Sequence, residues 1–221
     1  MQNLTLIIPA KNEVESLPIF LEEINKLNYK KLIVLQREDI QTKNVILENE
    51  STKILIQKKN GYGNALIEGI NACKTEYCCI INADGSMNPS YLVDMMLKCE
   101  NHDLIFASRY LTPGGGSDDD TFITFIGNKI FSFLGNLLFK LNLSDILFTY
   151  IVGKTKSFKM LDLKYVDFRL CIEIPIRAKK QNLKYTSIAS YERSRIGGKK
   201  KVNAFKDGFL ILIAMLKFLV K

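Results

Sequence analysis

The feature that most constrains this chain is an apolar run that ends abruptly in polar residues. Positions 78–81 are all apolar, and the sequence NADGS follows directly at 82–86. A continuous apolar run of this length is typical of a parallel strand that is buried on both faces. Open α/β folds bind ligands at the carboxyl ends of such strands, so Asp84 is predicted to lie at a binding edge.

Two interpretations of Asp84 follow from its position in this turn. A single carboxylate suits one ligand position on Mg²⁺ or Mn²⁺, with a diphosphate and waters in the remaining positions. Alternatively, Asp84 forms an Asx-type turn and only ties down the loop backbone. The turn itself does not decide between the two.

Strands and helices alternate along the first half of the chain. The predicted strands are Leu4–Ile8, Lys31–Leu35, Ile54–Gln57, the run that ends at Asp84, and Leu104–Ala107. The predicted helices are Glu13–Leu27, Ala65–Cys73 and one that begins after Pro89. This alternation predicts an α/β fold with a mostly parallel sheet flanked by helices on both faces, of the nucleotide-binding, Rossmann-like kind.

Length and cysteine content limit the class of protein. A chain of 221 residues is long enough for one large α/β domain. We assign residues 1–202 to this domain and residues 203–221 to a C-terminal amphipathic helix. The five cysteines show no metal-ligand spacing, which indicates reduced core residues of a cytosolic protein. No signal peptide is expected, because the N-terminus enters a predicted strand directly.

The net charge of +8 is concentrated near the C-terminus. The stretch 193–206 has no acidic residue and contains the basic residues Arg193, Arg195, Lys199, Lys200, Lys201 and Lys206. The apolar run Phe209–Leu216 follows it. This combination favours an anionic membrane surface, a phosphorylated ligand or both, with a solvated basic face as the alternative. Nucleic acid is not expected as a partner, because exposed aromatic residues do not interleave with the basic ones.

Two long apolar segments occupy the second half. We predict that Phe122–Leu141, which lysine, asparagine and glycine interrupt, is a core or interfacial helix rather than a transmembrane span. For the C-terminal helix, Asn203–Lys221, we favour interfacial anchoring, with a core helix as the alternative. The acidic, glycine-rich sequence PGGGSDDD at 113–120 is either a mobile flap over a site or a simple surface loop.

A glycine pair lies between the third predicted strand and its helix. Gly61 and Gly63 are not followed by the third glycine of a dinucleotide-binding motif or by the lysine of a P-loop. They permit a close backbone approach to a phosphate or a sugar. A plain loop-to-helix turn is the equal alternative.

The order of these motifs resembles one known family. The sequences IIPAKNE, GYGNAL, NADGS, SRY followed by GGGS, SDILFTY, IRA and SYERSRIGGKKKVNAFKDG occur in this order between about Leu4 and about Leu212. The chain in this respect resembles the family 2 glycosyltransferases, in particular the polyprenyl-phosphate (dolichyl-phosphate) mannose and glucose synthases. The resemblance implies a GT-A type fold and inverting transfer of a hexose from a nucleotide sugar to a polyprenyl phosphate. It places the protein peripherally at the cytosolic face of a membrane.

Two other functions remain open beside this one. The acceptor is a saccharide or another hydroxyl compound in the first. In the second, the protein is a catalytically impaired homologue that binds nucleotide sugars.

The resemblance also assigns roles to residues. It assigns substrate binding to Pro9, Ala10, Asn12, Glu13, Gly61, Gly63, Asn64, Asn82, Ser86, Ser108, Arg109, Lys200 and Lys201. It assigns Mg²⁺ or Mn²⁺ binding to Asp84, a catalytic role near the acceptor to Asp145, and phosphate contacts to Arg195. Since cleavage of a sugar–diphosphate bond generates negative charge, a metal at Asp84 and the guanidinium of Arg195 would stabilise the leaving group. A lipid phosphate needs no strong base, so Asp145 is expected to orient groups.

The chain departs from the family pattern at three places. Residues 35–39, LQRED, replace two aspartates and a serine that hold the base and ribose. Asn82 replaces the first aspartate of the Asp-x-Asp element, and Lys200 replaces a serine. We hypothesise that Glu38 or Asp39 supplies the carboxylate missing after the second strand.

Overall fold

The alternation predicted from the sequence produces the central sheet. A computed structural model describes residues 3–198 and 201–220. Its strands are β1 Leu4–Ala10, β2 Lys30–Leu35, β3 Thr52–Ile56, β4 Tyr77–Ile80, β5 Leu104–Ser108, β6 Gly116–Ser117, β7 Ile151–Lys154, β8 Tyr185–Ala189 and β9 Tyr191–Glu192. Its α-helices are α1 Ser16–Asn25, α2 Ile40–Asn44, α3 Tyr62–Ala72, α4 Leu92–Lys98, α5 Phe122–Phe139, α6 Thr155–Met160, α7 Leu170–Lys180 and α8 Ala204–Val220.

The main sheet has seven strands in the order β3-β2-β1-β4-β7-β5-β8. β1, β2, β3 and β4 are mutually parallel, and Leu6 of β1 lies opposite Cys79 of β4. β7 runs antiparallel between β4 and β5, and β8 is parallel to β5. The short strands β6 and β9 pair separately as a second, parallel sheet. The predicted parallel-rich α/β sheet is therefore confirmed, with one antiparallel strand inside it.

Both faces of the sheet are buried, which explains the continuous apolar runs. In β1, Leu6 and Ile8 belong to the cluster under α1 and α4, and Ile7 belongs to the cluster under α3 and α7. Gly69 in α3 lets the helix approach the sheet, because a Cβ there would lie 2.4 Å from the Ile7 side chain. The carboxyl ends of β1 and β4 consequently open at one edge of a rigid sheet.

Several boundaries differ from the predictions. The strand that leads to Asp84 ends at Ile80 in sheet pairing, and the NADGS turn follows it. The short helix α2 was not predicted; the Asp39 carboxylate caps it by accepting a hydrogen bond from the Thr42 N–H at 3.2 Å. β7 was also missed, because an antiparallel insertion breaks the strand–helix alternation.

The two apolar helices differ in how they pack. Helix α5 fully buries only Ser132 and Gly135, and it packs Phe131, Leu134 and Phe139 partly against the core, so it lies on the surface of the core rather than inside it. By length and composition alone, α5 is also the one helix in the described part of the chain that is apolar enough to cross a membrane. Helix α8 buries Ile211, Ala214 and Met215 against the core and exposes its other side. The division of the chain at residue 202 stays a prediction.

Candidate functional site

A cavity of about 570 Å³ opens at the carboxyl edge of the sheet. Most of the predicted site residues line it: Pro9, Ala10, Asn12, Glu13, Gly61, Asn82, Asp84, Ser86, Arg109, Arg195 and Lys201. Four others, Gly63, Asn64, Ser108 and Asp145, are not among the described residues that line it. Lys200 lies outside the described residues.

Asp84 lies in the turn after β4, and only 7% of its surface is exposed. Its Oδ1 accepts hydrogen bonds from the Ser86 N–H at 3.1 Å and from the Ser86 hydroxyl at 2.8 Å. Its Oδ2 lies 3.4 Å from the Arg195 guanidinium. The predicted Asx-type turn is therefore present. It uses Oδ1 of the carboxylate, while Oδ2 faces the Arg195 guanidinium at the cavity.

Arg195 is held by two carboxylates. Its Nε and Nη2 donate to Asp119 at 3.0 and 2.9 Å in a bidentate pair. The hydrogen bonds that Arg195 donates to Asp119, and to a smaller extent the charge of Asp84, raise the pKa of Arg195. The backbone fixes this position as well, because the Ile196 N–H donates to the Asp84 carbonyl at 2.8 Å. A guanidinium in this place can exchange a carboxylate for a phosphate without leaving the cavity.

The acidic segment 113–120 borders the cavity at its C-terminal end. It contains β6, which pairs with β9, so it is an ordered part of the fold. Asp119 and Asp120 from this segment line the cavity. The predicted placement at a site agrees with the structure, whereas mobility of this segment stays a prediction.

A buried ion network forms part of the cavity wall, since Arg109 and Glu192 both line the cavity. The Arg109 Nε and Nη2 donate to the two carboxylate oxygens of Asp145 at 2.7 and 3.1 Å, and Nη1 donates to Glu192 at 3.2 Å. The guanidinium also stacks 4.5 Å from the centre of the Phe148 ring. Burial alone would lower the pKa of Arg109, but Asp145 and Glu192 hold it well above the usual value. Burial raises the pKa of Glu192, and the charge of Arg109 opposes this shift.

This network bears on the role predicted for Asp145, which is to orient groups near the acceptor. The Asp145 side chain is fully buried, and Arg109 occupies both of its oxygens. Arg109 itself lines the cavity. In this structure Asp145 can act on a ligand only through Arg109, so it is a positioning residue. Ser108 lies equally deep, where its hydroxyl is 2.7 Å from that of Ser144.

The structure requires glycine at positions 61 and 63 because of contacts within the chain, and not because of the predicted approach to a phosphate. Gly61 has φ +136°, and a Cβ there would lie 2.2 Å from the Val166 carbonyl oxygen. A Cβ at Gly63 would lie 2.4 Å from the Tyr165 carbonyl oxygen, and the Asn64 N–H donates to the Val166 carbonyl at 3.0 Å. The close approach is therefore to the chain's own backbone. Gly61 alone of these three also lines the cavity.

Hydrogen bonds hold the loop after β1 in place. The Asn12 N–H donates to Asp39 Oδ2 at 2.7 Å, and the Glu13 N–H donates to the Thr42 hydroxyl at 3.0 Å. Glu13 forms an ion pair with Lys201. The Asp39 carboxylate therefore already binds the loop after β1 and the N-terminus of α2. Neither Asp39 nor Glu38 is among the described residues that line the cavity. This is a correction to the hypothesis that one of them replaces the lost carboxylates.

Two glutamines lie beside the cavity at the strand ends, and one of them, Gln36, belongs to the 35–39 stretch where those carboxylates were expected. Gln36 and Gln57 directly follow β2 and β3, and both line the cavity. Gln57 is buried, and its Oε1 has no hydrogen-bond partner within the described part of the chain. The sequence signal for both was available, since each is the first polar residue after an apolar strand.

Three of the four described residues of the predicted basic cluster are neutralised within the fold. Arg193 donates to both oxygens of Glu23 at 2.9 and 3.0 Å. Arg195 pairs with Asp119 and Asp84, and Lys201 pairs with Glu13. Lys199 and Lys200 lie outside the described residues, and Lys206 is exposed. The solvated-face alternative therefore does not describe the arginines, which hold the segment over the cavity.

Residues 5–161, well over half of the chain, match the family model "Glycosyl transferase family 2". The chain belongs to glycosyl transferase family 2. This family 2 glycosyltransferase is also 27% identical over 212 residues to uncharacterised glycosyltransferases of Mycobacterium tuberculosis and Mycobacterium bovis, with 95% of this chain and 94% of each relative covered. The narrower resemblance to polyprenyl-phosphate hexose synthases stays a prediction.

Solved structures confirm the GT-A type fold of this glycosyltransferase. Glucosyl-3-phosphoglycerate synthase from Mycobacterium tuberculosis, in complex with Mn²⁺, UDP and phosphoglyceric acid, superposes with a TM-score of 0.71 at 12% identity. The alignment covers 99% of this chain and 78% of that one. The same synthase with Mn²⁺, UDP-glucose and phosphoglyceric acid gives a TM-score of 0.73 at 13% identity, with 99% and 80% covered.

Proposed function

We propose that this protein transfers a hexose from a nucleotide sugar to a polyprenyl phosphate at the cytosolic face of a membrane, using Mg²⁺ or Mn²⁺. The observation that carries the donor side of the proposal is the pair formed by Asp84 and Arg195, 3.4 Å apart in the cavity at the end of β4. A carboxylate that can coordinate a metal and a guanidinium that can donate to phosphate oxygens are together suited to a nucleotide diphosphate.

The residues present fit a metal ion that arrives with the donor. In residues 3–198 and 201–220, no cluster of three or more histidine, cysteine, aspartate or glutamate side chains is arranged to hold an ion alone. Mg²⁺ is commonly bound by one or two carboxylates together with substrate phosphates and waters, which matches a single contribution from Asp84. When bound, the metal would supply positive charge against the diphosphate as its bond to the sugar breaks. The structural neighbours that hold Mn²⁺ and UDP support this proposal.

Asn82 contributes an uncharged amide to the same proposed site. Burial raises the pKa of Tyr62, so this hydroxyl stays protonated and donates to Asn82 Oδ1 at 3.1 Å. The interaction fixes the amide at the cavity wall beside Asp84. Asn82 is thus placed to contact a diphosphate or a sugar hydroxyl without adding negative charge.

The donor is oriented along the sheet edge. Gln36 and Gln57 follow β2 and β3, whereas Asp84 follows β4, three strands or roughly 14 Å from β3. A diphosphate at Asp84 therefore directs the nucleoside toward the two glutamines. The unpartnered Oε1 of Gln57 is an acceptor for an N–H of the base.

Replacing Gln57 tests its proposed contact with the base separately from its effect on protein stability. Gln57→Leu is expected to weaken donor binding about fivefold, because a hydrogen bond of about 1 kcal/mol is lost. The free protein is expected to gain about 1 kcal/mol in unfolding free energy, because a buried acceptor without a partner is removed. Calorimetric titration with UDP- and GDP-sugars and urea denaturation measure the two effects.

Gln181 provides the matched control: its Oε1 is also buried without a partner among the described residues, and Gln181 is not among those that line the cavity. Gln181→Leu should leave donor affinity unchanged. Unchanged donor affinity in Gln57→Leu would remove Gln57 from the proposed donor site.

Arg195 is proposed to stabilise the leaving group. In a single displacement, the acceptor oxygen forms a bond to the anomeric carbon while the bond from that carbon to the diphosphate breaks. The electron pair and the negative charge go to the diphosphate. Arg195 then exchanges its bidentate contact with Asp119 for the phosphate oxygens, and charge-assisted contacts of this kind are stronger when the charge is larger.

A conservative substitution tests this role of Arg195. Arg195→Lys is expected to lower kcat at least about tenfold, because an ammonium group cannot form the planar bidentate contact. Steady-state kinetics with the best donor measure the effect. Arg193→Lys is the control, since Arg193 pairs with Glu23 and is not among the described residues that line the cavity. Equal rates for the two variants would contradict the assignment.

The acceptor side of the cavity supports the lipid phosphate. Helices α5 and α8, whose outer surfaces are apolar, contribute Thr124, Asn128 and Ile211 to the lining. A lipid phosphate is already an anionic nucleophile, so a buried Asp145 that only positions Arg109 is compatible with this acceptor.

A second candidate acceptor is a hydroxyl compound, such as a saccharide or a small phosphorylated acid. The synthase structures that hold phosphoglyceric acid favour it. A hydroxyl acceptor needs a base, and Asp119 and Asp120 line the cavity. Partition of the labelled product distinguishes the candidates, since a lipid-linked hexose enters the organic phase and a saccharide product stays in water. Donor binding without turnover would instead indicate the impaired homologue.

A further inference from the structure

We infer that α5 and α8 together form a surface that docks on a lipid bilayer with anionic headgroups, and that α5 contributes most of the contact. The inference deepens the proposed function, on which it rests for the identity of the acceptor but not for the surface itself. We call this surface the α5–α8 face.

The apolar residues of α5 form a stripe along one side of the helix. Phe122, Ile126, Ile130, Phe133 and Leu137 are spaced by three or four residues and are all at least 40% exposed. Residues at this spacing share one face of a helix. The buried residues of α5, Ser132 and Gly135, lie on the opposite side. The stripe is therefore the outer face of a helix whose inner face is already packed.

Helix α8 repeats this arrangement beside α5. Phe205, Phe209, Leu212 and Leu216 are exposed at helical spacing, while Ile211 is buried. The two helices pack on each other, and a Cβ at Gly208 would lie 3.7 Å from the Phe131 ring. Such a two-helix apolar area exceeds the scattered exposed residues that are normal on a soluble protein.

The hydrogen bonds of α5 indicate that it lies along the domain. The Asn136 amide donates to the Leu143 carbonyl at 2.9 Å and accepts from the Leu143 N–H at 3.0 Å. Near the other end, the Asn128 amide donates to the Tyr110 hydroxyl at 2.9 Å. A helix that is anchored at both ends can place one face in the interface of a bilayer, with its axis in the membrane plane.

The charges near the stripes complement an anionic lipid surface. The sequence of α5 contains no acidic residue and one lysine, Lys129, which is exposed. Lys206 and Lys217 of α8 are exposed, and the single acidic residue of this helix is Asp207. Each such lysine contributes attraction to anionic headgroups. In a pair of identical copies the same lysines would repel one another, which favours the bilayer over a second copy as the occupant.

The charge balance also predicts which force dominates. Because Arg193, Arg195 and Lys201 are paired with carboxylates of the protein, they add little attraction to the membrane. Apolar burial therefore contributes more than electrostatics. Binding should persist in high salt to a greater extent than the basic stretch of the sequence suggests.

Vesicle sedimentation tests the inference with three variants of the full chain. One carries Phe122→Ser, Phe133→Ser and Leu137→Ser on α5. The second carries Phe209→Ser and Leu216→Ser on α8. The control carries Ile19→Ser, Leu47→Ser and Leu97→Ser, which are exposed apolar residues on α1, between α2 and β3, and on α4. The vesicles are phosphatidylcholine with and without phosphatidylglycerol, at low salt and at about 0.5 M NaCl.

The wild type and the control are expected to bind the anionic vesicles and to keep most of this binding in salt. The α5 variant should partition at least about tenfold less, and the α8 variant should be reduced to a smaller extent. Thermal unfolding and donor binding in vesicle-free buffer show whether each variant is folded.

Three results would overturn the inference. They are absence of vesicle binding by the wild type, equal binding by a folded α5 variant, and a wild-type dimer in solution that the α5 substitutions dissociate. Donor binding is measured without vesicles, so a failure of the proposed function is seen independently. Vesicle binding without any donor binding would leave the docking surface intact and reject the proposed transfer.

Discussion

Asp84→Asn is expected to lower kcat/KM for hexose transfer at least about a hundredfold while the protein remains folded. The asparagine Oδ1 can keep both hydrogen bonds from Ser86, so the turn after β4 is retained. The second carboxylate oxygen is replaced by the amide NH₂ group, which faces Arg195 and cannot bind a divalent metal. Loss of metal assistance removes several kcal/mol of transition-state stabilisation, and about 3 kcal/mol corresponds to two orders of magnitude in rate.

The measurement is kinetics over a range of Mn²⁺ concentrations, together with thermal unfolding. Asn82→Asp is the matched variant, because it restores a carboxylate two residues away whose Oδ1 can still accept from Tyr62. It should retain activity and require less metal. Near-normal turnover of Asp84→Asn at saturating Mn²⁺ would reject the metal role of Asp84.

Arg109→Met is expected to reduce the free energy of unfolding by about 3–5 kcal/mol, the typical effect of breaking a buried ion pair from one side. The substitution leaves the Asp145 and Glu192 carboxylates buried without their common cation. Methionine fills much of the same volume against Phe148, so loss of packing is a smaller effect.

The loss should depend on pH. Burial already raises the pKa of Glu192, and removal of Arg109 takes away the main charge that opposes this shift. A carboxyl group with a raised pKa binds its proton more tightly in the folded protein than in the unfolded chain. Stability of the variant therefore falls as pH rises above the ordinary glutamate range, and the gap to the wild type is smaller near pH 5 than near pH 8.

Urea denaturation at both pH values measures this gap. Arg193→Met is the control, because the Arg193–Glu23 pair is about one-third exposed and should contribute about 1 kcal/mol or less. Equal losses in the two variants, or a gap that does not change with pH, would contradict the structural role of Arg109.

The elements predicted correctly are those whose pattern is local. The apolar run before Asp84 shows both a buried strand and its end, and the turn residues follow directly in the sequence. The same holds for β1 and for the loop at Asn12. The family resemblance extended this to Arg195, which no local pattern identifies as a partner of Asp84.

What the sequence did not show depends on distant contacts. Arg109 joins Asp145, 36 residues away, and Glu192, 83 residues away, so nothing near Asp145 indicated that an arginine would occupy its carboxylate. For Gly61 the sequence left a ligand approach and a plain loop-to-helix turn equally open, because the 165–167 segment that fills this space lies much later in the chain. Likewise, the sequence alone does not show that Arg193 pairs with Glu23 and Lys201 with Glu13, because the partners lie far apart in the chain.

The most direct test of the proposed transfer is an assay with hexose-labelled nucleotide sugars, Mn²⁺ and a short polyprenyl phosphate in mixed micelles. With one of the UDP- or GDP-sugars, label should enter the organic phase, and EDTA or Asp84→Asn should abolish the transfer. Label in a new water-soluble product would favour the hydroxyl acceptor instead. Failure of the folded wild type to bind or consume any nucleotide sugar in Mg²⁺ or Mn²⁺ would contradict the proposed function.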